Sequence, residues 1–181
     1  MILTLVRHGE TDQNKDQIIQ GRIDNPLNKT GKKQAQAFFI DKKYDEIGSS
    51  GLSRAIETAE IIKKNLNHDK SILIIPEFVE RAFGELDNAP FEIAHPIITT
   101  NPNNIIGYES DEEIVSRILN ATFKLYEQYK DKNIMIVAHS HSIKALLYHI
   151  DPIKYSFAYY RFKNLEYFSF KVSKNKITLI A

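Results

Sequence analysis

The chain has 181 residues, with 24 Lys+Arg against 23 Asp+Glu for a net charge of +1, 43% hydrophobic residues and no cysteine. This composition is that of an ordinary soluble globular chain and excludes a disordered segment, a coiled coil and a fibrous repeat. Near-neutral charge leaves no overall field to draw nucleic acid or an anionic membrane, and the missing thiols remove disulfides, thiolate nucleophiles and thiolate metal sites.

Taken in chain order, Ile2–Val6 reads as a buried strand, too short for a signal-peptide core and stopped by Arg7 and His8. Gln34–Asp41 reads as a helix with Ala35, Phe38 and Phe39 on one face and Thr30 before it as a cap. Ile47 marks a short second strand, and Ala55, Ala59, Ile62 and Leu66 then recur at helical spacing. Ile72–Ile75 is a third strand, broken by Pro76. Ile114, Ile118, Leu125 and Tyr129 mark a long helix ending near Lys130. Asn133–Ala138 is a fourth strand and Ile143–Ile150 a helix after it. Tyr167–Val172 and Lys176–Ile180 form a closing hairpin across Ser173-Lys174-Asn175. No apolar stretch approaches the roughly 20 residues that span a bilayer, so a cytoplasmic protein is expected. The aromatic cluster Tyr155, Phe157, Tyr159, Tyr160 and Phe162 reads as core, or as a subunit contact that would make a homodimer.

The alternation of strand and helix predicts an α/β fold, a three-layer α/β/α sandwich around a mostly parallel sheet with an antiparallel strand at an edge. In such sheets ligands bind beyond the carboxyl ends of the strands. Four sequence segments fall there: Arg7-His8-Gly9-Glu10-Thr11, Ser49 to Arg54, Glu80-Arg81, and His139-Ser140-His141. Arg7 and Arg54, His8 and His139, and Glu80, falling at successive strand ends, suggest an anion site with a nucleophile, clamps and an acid. Arg offers planar, permanently charged donors to phosphoryl oxygens. A neutral imidazole can attack phosphorus, and a carboxylic acid beside a bound dianion can keep the proton that a leaving alkoxide needs. Gly9, lacking a Cβ, would let backbone approach the bound group. His139-x-His141 as half of a zinc site is the less favoured reading, because no carboxylate–histidine cluster accompanies it and two arginines would repel a cation.

Leu5-Val6-Arg7-His8-Gly9-Glu10-Thr11 resembles the signature of the histidine phosphatase superfamily, which includes the cofactor-dependent phosphoglycerate mutases. The resemblance continues in order through Asn14, Gly21, Pro26-Leu27, Gly31 and Gln34-Ala35. It runs on through Ser50-Gly51-Leu52-Ser53-Arg54-Ala55, Glu80 with Phe83-Gly84-Glu85-Leu86, and Val137-Ala138-His139-Ser140. It implies a phosphoglycerate mutase-like fold as one histidine phosphatase domain over 1–181, with 82–116 as a lid and specificity insertion. It implies that His8 becomes phosphorylated, that Arg7, Arg54 and His139 form the phosphate pocket, and that Glu80, in competition with Glu77 and Glu85, is the acid. Asn14 and the Ser140 N–H are then phosphate contacts, and Thr11, Gln20 and Gly21 line the rim. Ser140 and Asn88 stand where many relatives have Gly; Asn tolerates left-handed backbone.

The implied activity is metal-independent hydrolysis of a small phosphate ester, as a phosphoric monoester hydrolase of the histidine acid phosphatase type, with no cofactor, nucleic acid or membrane partner. A 2,3-bisphosphoglycerate-primed phosphoglycerate mutase is the alternative, and a non-catalytic binding module a minor one. Two features favour water as acceptor. The chain is short, and residues 82 to 116 carry seven Asp and Glu but no Lys or Arg. An acidic lid would disfavour polyanions and select an ester whose remainder is neutral or apolar, contacted by Phe91, Ile93, Pro96, Ile97, Ile98 and Tyr108. Lys15, Arg22 and Lys144 could undo that argument by reaching the pocket from elsewhere.

Overall fold

The computed structural model describes residues 1–158 and 161–180. Six strands, β1 (Ile2–Arg7), β2 (Glu46–Ser49), β3 (Leu73–Ile74), β4 (Asn133–Ala138), β5 (Tyr167–Ser173) and β6 (Lys176–Ile180), form one sheet in the order β3-β2-β4-β1-β5-β6. β3, β2, β4 and β1 run parallel, and the hairpin β5–β6 adds antiparallel to β1. The α/β expectation, with a closing hairpin at one edge, describes this sheet.

Side chains along a strand alternate between faces, and β4 is apolar on both. Ile134, Ile136 and Ala138 join Leu3, Leu5 and Phe170 on one side, against α5 (Asp111–Gln128) and α6 (Ser140–Ile150). Met135 and Val137 join Val6 and Ile47 on the other, against α2 (Lys29–Ala37) and α3 (Ser53–Asn65). A third, smaller core of Ile19, Phe83, Leu86, Ala94 and Ile98 lies under α4 (Phe91–Ile98). Among the described residues no helix is long and apolar enough to cross a membrane.

Three local readings are corrected. The α2 helix is capped by the Asn28 side chain, which accepts the Gly31 N–H at 2.8 Å, and not by Thr30. It also stops at Ala37, because Asn65 Nδ2 donates to the Ala35, Gln36 and Phe38 carbonyls and the chain leaves in extended form. Phe38 and Ile40 are then buried while Phe39 is 72% exposed, so the two phenylalanines share no face. The α4 helix is unannounced by periodicity because it is eight residues long and contains Pro96. Of the aromatic cluster, Tyr155, Phe157 and Phe162 are core residues, as one of the two readings had it; Tyr159 and Tyr160 lie outside the described residues.

Candidate active site

A cavity of about 640 Å³ opens at the carboxyl edge of the parallel strands. Its walls bring together residues far apart in the chain: Arg7 and His8 at the end of β1, Arg54 in the first turn of α3, Glu80 after a short 3₁₀ turn, and Ser140 and His141 opening α6. His139, the residue before α6, stands beside His8 with ring centroids 5.1 Å apart and planes tilted by 55°.

His8 is buried, and its Nδ1 lies 2.7 Å from the Gly9 carbonyl oxygen. A carbonyl only accepts, so the ring proton sits on Nδ1 and the lone pair is on Nε2. Burial first, then the Arg54 and Arg7 guanidinium groups, pushes the imidazole well below its ordinary pKa, so it is neutral near pH 7. His139 is lowered likewise, by burial and then Arg54. Its Nε2 lies 2.6 Å from Ser50 Oγ, which accepts the Leu52 N–H at 3.5 Å and can give its own proton to that nitrogen. The His139 proton then stands on Nδ1, which is buried without a partner.

The guanidinium groups are fixed by backbone. Arg54 donates to the Ile23 and Gly21 carbonyls at 2.7 and 2.8 Å, and burial lowers its pKa to about 10, still fully charged at neutral pH. Arg7 donates to the Phe162 carbonyl. The Nε of each is buried and unpartnered. A buried donor without an acceptor costs about 1–3 kcal/mol, and an oxyanion supplies acceptors to several at once. Glu80 Oε1 accepts the Arg81 and His141 N–H groups at 2.9 and 3.0 Å, which leaves Oε2 without a partner among the described residues. Burial raises the Glu80 pKa, against its backbone bonds and the two arginines. Glu80 lines the cavity; Glu77 and Glu85 do not.

The remaining expected residues divide. Asn14, Gln20, Gly21 and Ser140 line the cavity. Thr11 does not: its hydroxyl caps the short helix α1 (Asp12–Lys15) and donates to Gln20 Oε1 at 2.9 Å, so it acts from behind the rim. Gly9 does not face the bound group as its missing Cβ suggested; a Cβ there would meet the Gly31 carbonyl oxygen at 2.7 Å. Asn88 has φ 65, the left-handed backbone that Asn tolerates. Sequence reasoning missed Asn164, whose Nδ2 donates to the His8 carbonyl at 2.9 Å and Asn14 Oδ1 at 3.3 Å, and Ser50 as the partner of His139. Asn164 carries no motif, and Ser50, although within the Ser50–Ala55 run, is brought to His139 only by the fold. His141 also lines the cavity, its ring edge-on to Phe83 and Phe157.

The acidic-lid argument fails on geometry. Glu109 takes Arg117, Arg22 and the Ala82 N–H, and Asp111 pairs with buried Arg81 at 2.7 Å. Glu112 accepts from Asn101, and Glu113 caps α5. These acids fasten residues 82 to 116 to the body instead of facing a ligand. Of the apolar contacts expected there only Phe91 lines the cavity. Lys144 reaches it, as Lys15 and Arg22 do not. Among the described residues no group of three or more His, Cys, Asp and Glu is placed to hold a metal ion.

Comparison with known proteins agrees with this arrangement. Residues 3–180 match the histidine phosphatase superfamily (branch 1). The chain is 40% identical over 147 residues, 79% of its length and 74% of the relative's, to a Bacillus subtilis (strain 168) protein described as uncharacterized phosphatase PhoE. It is 43% identical over 96 residues to the Danio rerio fructose-2,6-bisphosphatase TIGAR B, a match over 50% of this chain and 37% of that protein. The fold superposes with TM-score 0.84 and 25% identity on an Entamoeba histolytica phosphoserine phosphatase mutant complexed with phosphoserine, covering 99% of this chain and 95% of that one. A sheet whose carboxyl edge gathers Arg7, His8, Arg54 and His139, and a match spanning nearly the whole chain, together show that it belongs to the histidine phosphatase superfamily.

Proposed function

We propose that the protein is a phosphoric monoester hydrolase of the histidine acid phosphatase type, acting through a phosphohistidine on His8 and using no metal. The ester phosphate docks between Arg7 and Arg54 beside His8: both guanidinium groups line the cavity and each keeps a buried Nε without a partner, and this is the observation that carries the reading. Ser140 at the first turn of α6 adds a helix N-terminus to the same anion. His8 Nε2 attacks phosphorus, the P–O ester bond breaks, and the leaving alkoxide takes the proton held on Glu80. Donors already aimed at the transferring oxygens stabilise the charge they gain. In the second step Glu80, now a carboxylate, takes a proton from water as it attacks phosphorus. The N–P bond breaks, and inorganic phosphate leaves.

The residues 82 to 116 act as a lid and specificity insertion: Phe83 and Phe91 face the cavity, and the ion pairs of Glu109 and Asp111 hold the segment in place. Names of relatives point the same way, since uncharacterized phosphatase PhoE and the phosphoserine phosphatase are both called phosphatases. The test is turnover of p-nitrophenyl phosphate with and without EDTA, together with acid- and base-quench trapping of the enzyme. Chelator-resistant release of phosphate and a base-stable, acid-labile phosphoenzyme lost in His8→Ala are expected. Chelator-sensitive turnover, or a phosphoenzyme that persists in His8→Ala, overturns the proposal.

A further inference from the structure

Beyond the phosphate-binding end, the cavity has a second wall made by α6, α4, Phe157, Ala158 and residues 161 to 164. Lys144 lies in it, only 3% exposed, its Nζ donating to the Phe157 carbonyl at 2.9 Å and standing 5.8 and 5.9 Å from the Phe157 and Phe162 ring centres. No carboxylate is ion-paired with Lys144 among the described residues, and the nearby Asp111 is taken by Arg81. At the mouth the Arg161 guanidinium lies 3.7 Å above the Phe91 ring, which stacks on His95 at 4.6 Å. Lys163 borders the same opening. The carboxylates that line the cavity, among the described residues, are Glu80, at the phosphate end, and Glu10, which is held by Asn28 at 2.9 Å.

Burying an ammonium is costly unless it is paired, and placing it near a second cation adds to that cost. Burial indeed pulls the Lys144 pKa to about 8, and Arg161 and Arg81 contribute to the fall while Glu80 and Asp111 oppose it. A side chain kept charged near pH 7 in a ligand cavity without an anion of its own is arranged for an anion that arrives with the ligand. Resting on the phosphomonoesterase reading, we infer that the wall of Lys144 and Arg161, with His141 beside it, binds a second anionic group, a carboxylate or phosphate, on the leaving-group side of the substrate. This replaces the neutral or apolar remainder expected from the acidity of residues 82 to 116, because none of those acids lines the cavity, whereas Lys144 and Arg161 do.

Matched substrate pairs test it. O-phospho-L-serine differs from O-phosphoethanolamine by one carboxylate, and glucose 1,6-bisphosphate from glucose 6-phosphate by one phosphate. The expected result is a preference in kcat/KM of about tenfold or more for the anionic member of at least one pair, the size of one charge-assisted hydrogen bond. The pair that shows it tells carboxylate from phosphate. Lys144→Met should bring that ratio to within about threefold of unity, and Arg161→Gln, at an exposed position, should lower it without placing the fold at risk. Hydrolysis of both members at similar rates by the unaltered enzyme overturns the inference and leaves the phosphatase reading intact. A preference that survives both substitutions overturns the assignment to this wall. Failure to hydrolyse any of the four esters, or p-nitrophenyl phosphate, overturns the phosphatase reading itself.

Discussion

Replacing Glu80 by glutamine isolates the proton from the shape. Glu80 Oε1 accepts two backbone N–H bonds, from Arg81 and His141, and a glutamine carbonyl oxygen can accept both. Its NH2 then stands where Oε2 faces the cavity, so the side chain keeps its place while losing the proton it would give. Positioned general acids contribute about 10²–10⁴ in rate, or about 2.7–5.4 kcal/mol of barrier. That loss should fall on substrates whose leaving group needs a proton. For an alkyl phosphate, kcat for Glu80→Gln should drop by about a thousandfold; for p-nitrophenyl phosphate, whose phenolate departs unaided, the first step should hardly change. The assay is a leaving-group series run at one pH, with burst kinetics to separate phosphorylation of His8 from hydrolysis of the phosphoenzyme. Losses of equal size in the phosphorylation step for good and poor leaving groups would falsify the role of Glu80 as acid.

Other outcomes follow from the same geometry. The kcat/KM profile should hold its value below the ordinary imidazole range, since burial and the two arginines keep His8 neutral there, and should fall on the alkaline side as Glu80 loses its proton. Glu80→Gln should erase the alkaline limb alone; an acid limb at the pKa of a free imidazole contradicts the environment assigned to His8. Ser50→Ala leaves the buried His139 Nε2 unpaired, and should cost about 1–3 kcal/mol in urea unfolding and about tenfold or more in kcat. Unchanged values for that variant would show that Ser50 does not set the ring's tautomer. Gly21→Ala meets two obstacles: φ is +51, and the added Cβ would sit 2.1 Å from Asp87 Oδ1. Because Gly21 also offers its carbonyl to Arg54, phosphate inhibition of this variant should weaken by about tenfold. Wild-type inhibition would mean that the Arg54 guanidinium keeps its place without that anchor.

What the sequence discloses and what it hides have separate physical origins. The parallel core was legible because β4 is apolar on both faces and bounded by polar residues, the pattern of a strand covered on two sides. Arg7, His8, Arg54, Glu80 and His139 were legible because each follows a strand within a run of recognisable residues. Phe39 misled because it continues a helical spacing that the Asn65 side chain cuts off from another helix. The acids between 82 and 116 misled for a deeper reason: charge can be counted in a sequence, but the direction in which a carboxylate points cannot. Glu109 and Asp111 look available until Arg117, Arg22 and Arg81 are seen to hold them. Lys144 shows the converse, the one Lys or Arg of α6, whose placement in the cavity depends on that helix packing with its first turn at the site.

The strand order has a consequence for how the molecule is made. One of the two central positions is held by β1, whose neighbours β4 and β5 are specified more than 120 residues later. That strand therefore waits, unpaired along both edges, until residues 133 to 171 have been made. Contacts of such long range are slow to close, because the loop entropy falls due before any pairing repays it. His8 sits one residue beyond that waiting strand, and Asn164 must arrive to bind its carbonyl. Assembly of the cavity thus waits on these later residues, and the apolar strand β1 is where chaperone protection matters most.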